Sequence, residues 1–206
     1  MKLKIAGYKP ISLIDVHGYP SFALWVCGCN LRCPFCHNWR IANADRKVCG
    51  EAELGELMVK ISKSVKFVDY LHVTGGEPLL QVEALRELFS KVKSLGLMIS
   101  LNTNLTLASE LERLLKDGLL DHVATDLKVP FDIMSGLGEK ARNYWGEYLK
   151  SLELLRGYEV TLELRVPVAR GITLGALGNA LREILPLLKG LRKSYCVEEV
   201  VVSSGA

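Results

Sequence analysis

Four of the six cysteines in this 206-residue chain, Cys27, Cys29, Cys33 and Cys36, fall within ten positions in "CGCNLRCPFC". Thiols gathered this tightly invite three readings. Cys29, Cys33 and Cys36, spaced C-x3-C-x2-C, can hold three irons of a cubane cluster and leave the fourth iron free of protein ligands. A structural zinc site wants a fourth ligand, which Cys27 or His37 could offer. Inert packing is the third reading. Cys27 closes the apolar run "FALWV", and a free cysteine behaves as a small buried hydrophobe. No second paired-cysteine motif follows downstream, so the iron–sulfur reading is preferred. Cys49 and Cys196 stand apart and read as structural or incidental.

Four other runs carry groups able to bind a ligand. In "TGGEPLLQ" (74 to 81), Gly75 and Gly76 permit positive φ and close backbone approach, while Pro78 suits a first helical turn. A plain tight turn, with Glu77 favouring a helix N-terminus, explains the same residues. In "NTN" (102 to 104), strand alternation puts Asn102 and Asn104 on one face, although helix capping also selects these residue types. "TDLK" sets Asp126 and Lys128 on one face at the end of an apolar run, as an ion pair or as ligand-binding groups. In "LELRVPVARG", Arg165 could take a carboxylate or phosphate, or pair with Glu163.

Each run follows a strand candidate. Those candidates are residues 22–26, 68–74, 97–103, 122–128, 160–168 and 198–204, six in all. Helical periodicity over 51–65, 81–96 and 107–118 separates them, the last two closing on Gly96 and Gly118, with weaker stretches at 139–156 and 174–189. Strands joined by crossover helices pair in parallel. The expected fold is α/β, a single domain over residues 1–206, built as an open doubly wound sheet or as a barrel. In both, ligands sit at the carboxyl ends of the strands, where all these runs lie.

Composition narrows the partners. Hydrophobic residues make up 49% and charged residues 24%, which is ordinary globular usage. The net charge of +3 is spread without a long basic run, so no nucleic acid is implied. The N-terminus lacks an apolar signal core and no stretch approaches a membrane span, which gives the expectation of a cytoplasmic protein without membrane attachment. In that reducing setting clustered cysteines more often bind metal than form disulfides.

"CNLRCPFC" followed by "TGGEPLL" resembles the radical S-adenosylmethionine superfamily, whose fold is a partial, open (βα)6 barrel. The resemblance implies that Cys29, Cys33 and Cys36 bind a [4Fe–4S] cluster whose fourth iron chelates S-adenosylmethionine. Reductive cleavage of that cofactor to a 5′-deoxyadenosyl radical is the activity implied. Further stretches, "LNTN", "DHVATDLKVPFD" and "LRVPVARG", are similar to glycyl-radical-enzyme activases, especially those of the anaerobic ribonucleotide reductase and of pyruvate formate-lyase. That likeness implies adenine contact at Phe35 and methionyl amine contact at Gly75, Gly76 and Glu77. It implies further cofactor contacts at Asn102, Asn104, Asp126 and Lys128, and a substrate-peptide contact at Asp15. The partners it implies are a glycyl-radical protein and a low-potential electron donor such as flavodoxin or ferredoxin, under anaerobic conditions. Two departures stand out. Asn102 replaces a common Asp, which bears on a monovalent-cation site, and the chain stops before a late segment that supplies a His in longer relatives. A second family reading is an enzyme resembling 7-carboxy-7-deazaguanine synthase, but that family tends to carry Asp-Thr where this chain has His37-Asn38. A metal-binding module without catalysis is the third.

Overall fold

The computed structural model describes residues 1–169 and 173–199, the last eight of these in backbone alone. One eight-stranded sheet runs through it. Two antiparallel strands, β1 (Lys2–Val16) and β2 (Tyr19–Val26), form a hairpin, and after the short helix α1 (Trp39–Ala42) the edge strand β3 (Gly50–Glu53) pairs with the start of β1. A regular alternation follows: α2 (Leu54–Ser62), β4 (Tyr70–Gly75), α3 (Val82–Lys93), β5 (Met98–Asn102), α4 (Ala108–Lys116) and β6 (His122–Asp126). It continues through α5 (Phe131–Met134), α6 (Ala141–Leu155), β7 (Thr161–Val168), α7 (Thr173–Ile184) and β8 (Arg192–Glu199). The spatial order is β3-β1-β2-β4-β5-β6-β7-β8, and the six strands from β2 to β8 in that order are mutually parallel. This is the open, partial (βα)6 barrel.

Strand alternation divides each parallel strand between two environments. Outward residues Phe22, Leu24, Leu71, Val73, Ile99, Leu101, Val123 and Leu162 are fully buried against helix residues such as Leu57, Leu85, Leu111 and Leu152. Their inward neighbours are polar: His72 and Thr74 on β4, Ser100 and Asn102 on β5, His122 and Asp126 on β6, Glu163 and Arg165 on β7. Helices cover one face, and a polar lumen occupies the other. Gly96 and Gly118 hold φ of +85° and +64° just past α3 and α4, the left-handed closure expected of them.

Several sequence expectations need correction. A strand paired with β7 is described over Arg192–Glu199, so it begins before the expected position 198, and residues 200–204 of the expected strand lie outside the described residues. The first predicted helix loses Glu51–Glu53 to β3, which pairs with β1 although it holds mostly charged and small residues. Neither β1 nor β3 was foreseen; β1 is interrupted by bulges and mixes Gly7 and Pro10 among its apolar positions. Cys27 and Cys49 are neither inert nor isolated: they form a disulfide across 22 residues with Cα atoms 6.2 Å apart. Folding of residues 39–49 back onto the base of the cysteine loop, through Gly28 N–H donating to Ile41 C=O (2.9 Å), brings the pair together. The side chain of Cys196, the turn at 170–171 and the last residues lie outside the described set.

Candidate functional site

The free cysteines Cys29, Cys33 and Cys36 lie on the loop between β2 and α1, all half-buried. They line one cavity of about 490 Å³ at the carboxyl ends of the strands, together with Phe35, His37, Gly75, Gly76, Asn102, Asn104, Asp126 and Lys128. Among the described residues no three His, Cys, Asp or Glu side chains gather as the ligands of one ion. Three thiols facing a shared space without converging on one point suit a multi-iron cluster better than a tetrahedral zinc. Burial pushes the Cys29 thiol up to about 11, partly offset by the Leu31 N–H on its sulfur, and raises Cys33 against the pull of Lys128. Such thiols ionise when a metal centre binds them.

Four hydrogen bonds fix this loop. Glu77 N–H donates to Gly28 C=O at 2.7 Å, and a Cβ on Gly76 would overlap that same carbonyl oxygen, so only glycine lets the two loops meet. Asn104 Nδ2 donates to Asn30 Oδ1 at 2.8 Å, and Asn30 Nδ2 donates to Thr106 Oγ1 at 2.8 Å. On the far side, Arg32 N–H donates to Ser135 C=O at 2.8 Å, and Gly136, at φ +69°, sits where any Cβ would strike the Arg32 backbone.

Glu77 turns away from the cavity. Fully buried, its carboxylate accepts from Leu79 N–H, the Thr103 hydroxyl (2.7 Å) and Asn104 N–H (2.7 Å), so it braces the "NTN" turn. Burial holds its pKa above the ordinary carboxylate range despite those donors. Of the residues assigned to S-adenosylmethionine, it alone does not line the cavity. Asp15 is also elsewhere. It precedes the β1–β2 turn, at the opposite end of the strands, with Oδ2 buried and without a hydrogen-bond partner. The capping alternative for "NTN" is not realised, since α4 begins at Ala108 with no side-chain cap.

Charge at the mouth is balanced by one network. Lys128 Nζ donates to Asp126 Oδ2 at 2.8 Å, and Arg165 reaches Asp126 Oδ1 through Nε at 3.1 Å and Asn102 Oδ1 at 2.6 Å. Burial alone would raise Asp126, but Lys128 and Arg165 hold its carboxyl below the ordinary range. Burial would lower Lys128, but the Asp126 carboxylate outweighs it and keeps the ammonium charged. Arg165 is thus tied to Asp126 and Asn102 more closely than to Glu163, 3.8 Å away. Its guanidinium places a fixed positive charge beside Asn102. Sequence reasoning did not find Asn30, Asn38, Ser135 or Gly136; Asn38 Nδ2 donates to Gly75 C=O at 3.3 Å. Only Asn30 carried a visible signal, inside "CNLRC". A larger cavity of about 630 Å³, around Phe131, Trp145 and Glu183, holds none of the cysteines.

Comparison with known proteins agrees with this geometry. The model of the radical SAM superfamily matches residues 25–205. A Methanocaldococcus jannaschii protein, provisionally named a glycyl-radical enzyme activating enzyme, is 31% identical over 173 residues, covering 80% of this chain and 68% of that protein. The 7-carboxy-7-deazaguanine synthase of Hyperthermus butylicus is 34% identical over 139 residues (65% and 54%), and the pyruvate formate-lyase-activating enzyme of Staphylococcus aureus 33% over 113 residues (53% and 45%). This chain therefore spans about half the length of the last two. Among solved structures, TYW1 with a lysine-pyruvate adduct bound superposes with a TM-score of 0.62 at 16% identity, covering 90% of this chain and 66% of that one. The anSMEcpe structure with bound AdoMet gives 0.57 at 18%, covering 84% and 49%. Both likenesses speak to the fold. Family, cavity and loop spacing agree: the chain belongs to the radical SAM superfamily, whose enzymes use a [4Fe–4S] cluster and S-adenosylmethionine.

Proposed function

We propose that this chain is a glycyl-radical-enzyme activase, acting on a partner protein such as the anaerobic ribonucleotide reductase. Held at the three cysteines, a cluster with S-adenosylmethionine would supply one-electron cleavage of the sulfonium and, from it, abstraction of a glycine α-hydrogen. The chain's own residues hold and shield. Cys29, Cys33 and Cys36 ligate three irons, and the Gly75-Gly76 backbone offers groups to an amine. Asp126 and Lys128 present one charge of each sign to the cofactor, while Phe35 offers a flat face to adenine.

One observation carries the choice of substrate. A cavity of about 490 Å³ matches a single ligand within the usual range of roughly 300–1,000 Å³. With the cluster and S-adenosylmethionine in that space, a second reactant that reaches in from outside it, as a polypeptide loop can, fits this reading. The side chains after the third cysteine support this: Asn38 is engaged on Gly75 and His37 is exposed, so neither offers the Asp-Thr pair of the deazaguanine type.

The test is anaerobic. The reconstituted protein, S-adenosylmethionine and reductant are mixed with a candidate glycyl-radical subunit, and the electron paramagnetic resonance spectrum is recorded. A glycyl doublet is expected, lost when the target glycine becomes alanine. Formation of 7-carboxy-7-deazaguanine, with no radical on any candidate protein, overturns the reading. Absence of 5′-deoxyadenosine under all conditions would instead support a non-catalytic module.

A further inference from the structure

The second cavity, of about 630 Å³, lies outside the cysteine site, between α5, α6 and α7. Its volume falls within the range of small-ligand sites, roughly 300–1,000 Å³. Room is left because facing helix positions are small: Ala141 on α6, and Ala176 and Ala180 one turn apart on α7. One wall is aromatic. Phe131 and Trp145 line it with ring centroids 5.5 Å apart, and Tyr148 stacks behind Trp145 at 5.3 Å with the ring planes 7° apart. The indole is held in place through Nε1, which donates to Glu183 Oε2 at 2.9 Å.

The charge around this cavity is one-sided. Asp132, Glu139 and Glu183 line it with Arg142 as the one positive side chain, three charges against one in a chain whose net charge is +3. Elsewhere on the helices Glu87, Glu112 and Glu153 each hold a Lys or Arg. Among the described residues no Lys, Arg or His, Arg142 included, pairs with Asp132, Glu139 or Glu183. Unpaired carboxylates around a cavity are complementary to a cation, and aromatic ring faces attract the same kind of group. Both features select one ligand charge. Together they suit a guanidinium better than an ammonium, because its planar head stacks on a ring while its edge donates two parallel hydrogen bonds to a carboxylate.

The cavity adjoins the cysteine site along the chain. Lys128 lines the cavity that holds the cysteines, and the next two residues, Val129 and Pro130, line this one. Helix α5, which carries Phe131 and Asp132, is followed by Ser135, whose C=O accepts from the Arg32 N–H of the cysteine loop.

We infer that the cavity between α5, α6 and α7 binds an alkylguanidinium group, supplied by an arginine of another polypeptide or by a free guanidine such as agmatine. The inference does not rest on the activase reading. A polypeptide source would extend that reading, by giving the substrate protein an anchor beside the barrel mouth.

The test is calorimetry on the reconstituted protein with three probes: butylguanidinium, its neutral isostere butylurea, and a blocked pentapeptide with one central arginine among glycines. Butylguanidinium is expected to bind at least tenfold more tightly than butylurea. The double variant Asp132→Asn/Glu183→Gln should weaken it at least fivefold. Both positions are exposed, and the new amide oxygen still accepts from Trp145 Nε1, so the fold is kept. Ala176→Phe, which fills the cavity, should abolish binding. Pentapeptide affinity equal to or above that of butylguanidinium assigns the site to an arginine of a polypeptide; butylguanidinium binding without peptide binding assigns it to a free guanidine. Equal affinity for butylguanidinium and butylurea overturns the inference, as does wild-type affinity in the double variant or the absence of butylguanidinium binding. None of these measurements uses a glycyl-radical protein, so failure here is distinct from failure of the activase reading.

Discussion

The two faces of the parallel strands follow opposite rules. On β4, outward Leu71 and Val73 are fully buried in the hydrophobic core, while inward His72 and Thr74, one residue away, hydrogen-bond to Ser100 and Asn102. The outer face is interchangeable hydrophobic surface, held by area and fit. The inner face is specific: Ser100 Oγ lies 2.8 Å from Nδ1 of both His72 and His122, and Asn102 binds both Thr74 and Arg165. Since both faces share each backbone, the packed shell fixes the strands, and the strands in turn aim the lumen groups. Substitutions on the two faces should therefore fail differently.

The sharpest contrast comes from the largest effect. Cys33→Ala is expected to abolish cluster assembly and S-adenosylmethionine cleavage while leaving the thermal unfolding of the cluster-free protein within a few degrees of wild type. Normal turnover in this variant would refute the ligand assignment. Leu85→Ala, on the helical shell, should do the reverse. Leu85 is fully buried, so about 2–5 kcal/mol of stability is lost, and the folded fraction still assembles the cluster. Denaturant titration with iron quantification separates the two behaviours.

Next in size is the disulfide. Cys27–Cys49 closes 22 residues, and the loop-entropy relation puts its contribution at about 3 kcal/mol. Cys49→Ser should lower the unfolding midpoint under oxidising conditions and leave cleavage nearly intact. Loss of the cluster would show that the cysteine loop needs this cross-link, or Cys49 itself, to assemble it. With reductant present, wild type and variant should converge.

The sequence revealed the strand–helix alternation, because β-branched runs and i, i+3, i+4 periodicity are local signals. It revealed the cysteine trio by spacing, and Gly75 and Gly76 by the conformations they permit. What it withheld depends on distant pairings. Cys27 and Cys49 meet only because residues 39–49 fold back, and β3 is a strand only because β1 offers it an edge. Gly136 looks like any turn glycine until Arg32 is seen against it. For Glu77 the motif names the residue but not the direction of its carboxylate, which points to Thr103 and Asn104.

The smallest expected effect probes the lumen floor, where His72 meets Ser100 of β5, His122 of β6, the Asp15 carboxylate of β1, and Glu163 and Arg165 of β7. Burial brings its pKa down from 6.5 to about 4; Asp15 and Glu163 oppose the shift, while Arg165 and His122 reinforce it. The unfolded chain therefore binds a proton near pH 6.5, and the folded protein binds it only near pH 4. Between those values the unfolded state holds more protons, so stability rises with pH. This contribution is complete above pH 6.5 and is lost as pH falls toward 4, amounting to at most about 3 kcal/mol. His72→Asn keeps a polar partner for Ser100 without the titration, so its unfolding free energy should vary less between pH 4.5 and 7 than that of wild type. Chemical denaturation across that range measures the difference. Equal slopes would move the acid sensitivity away from His72.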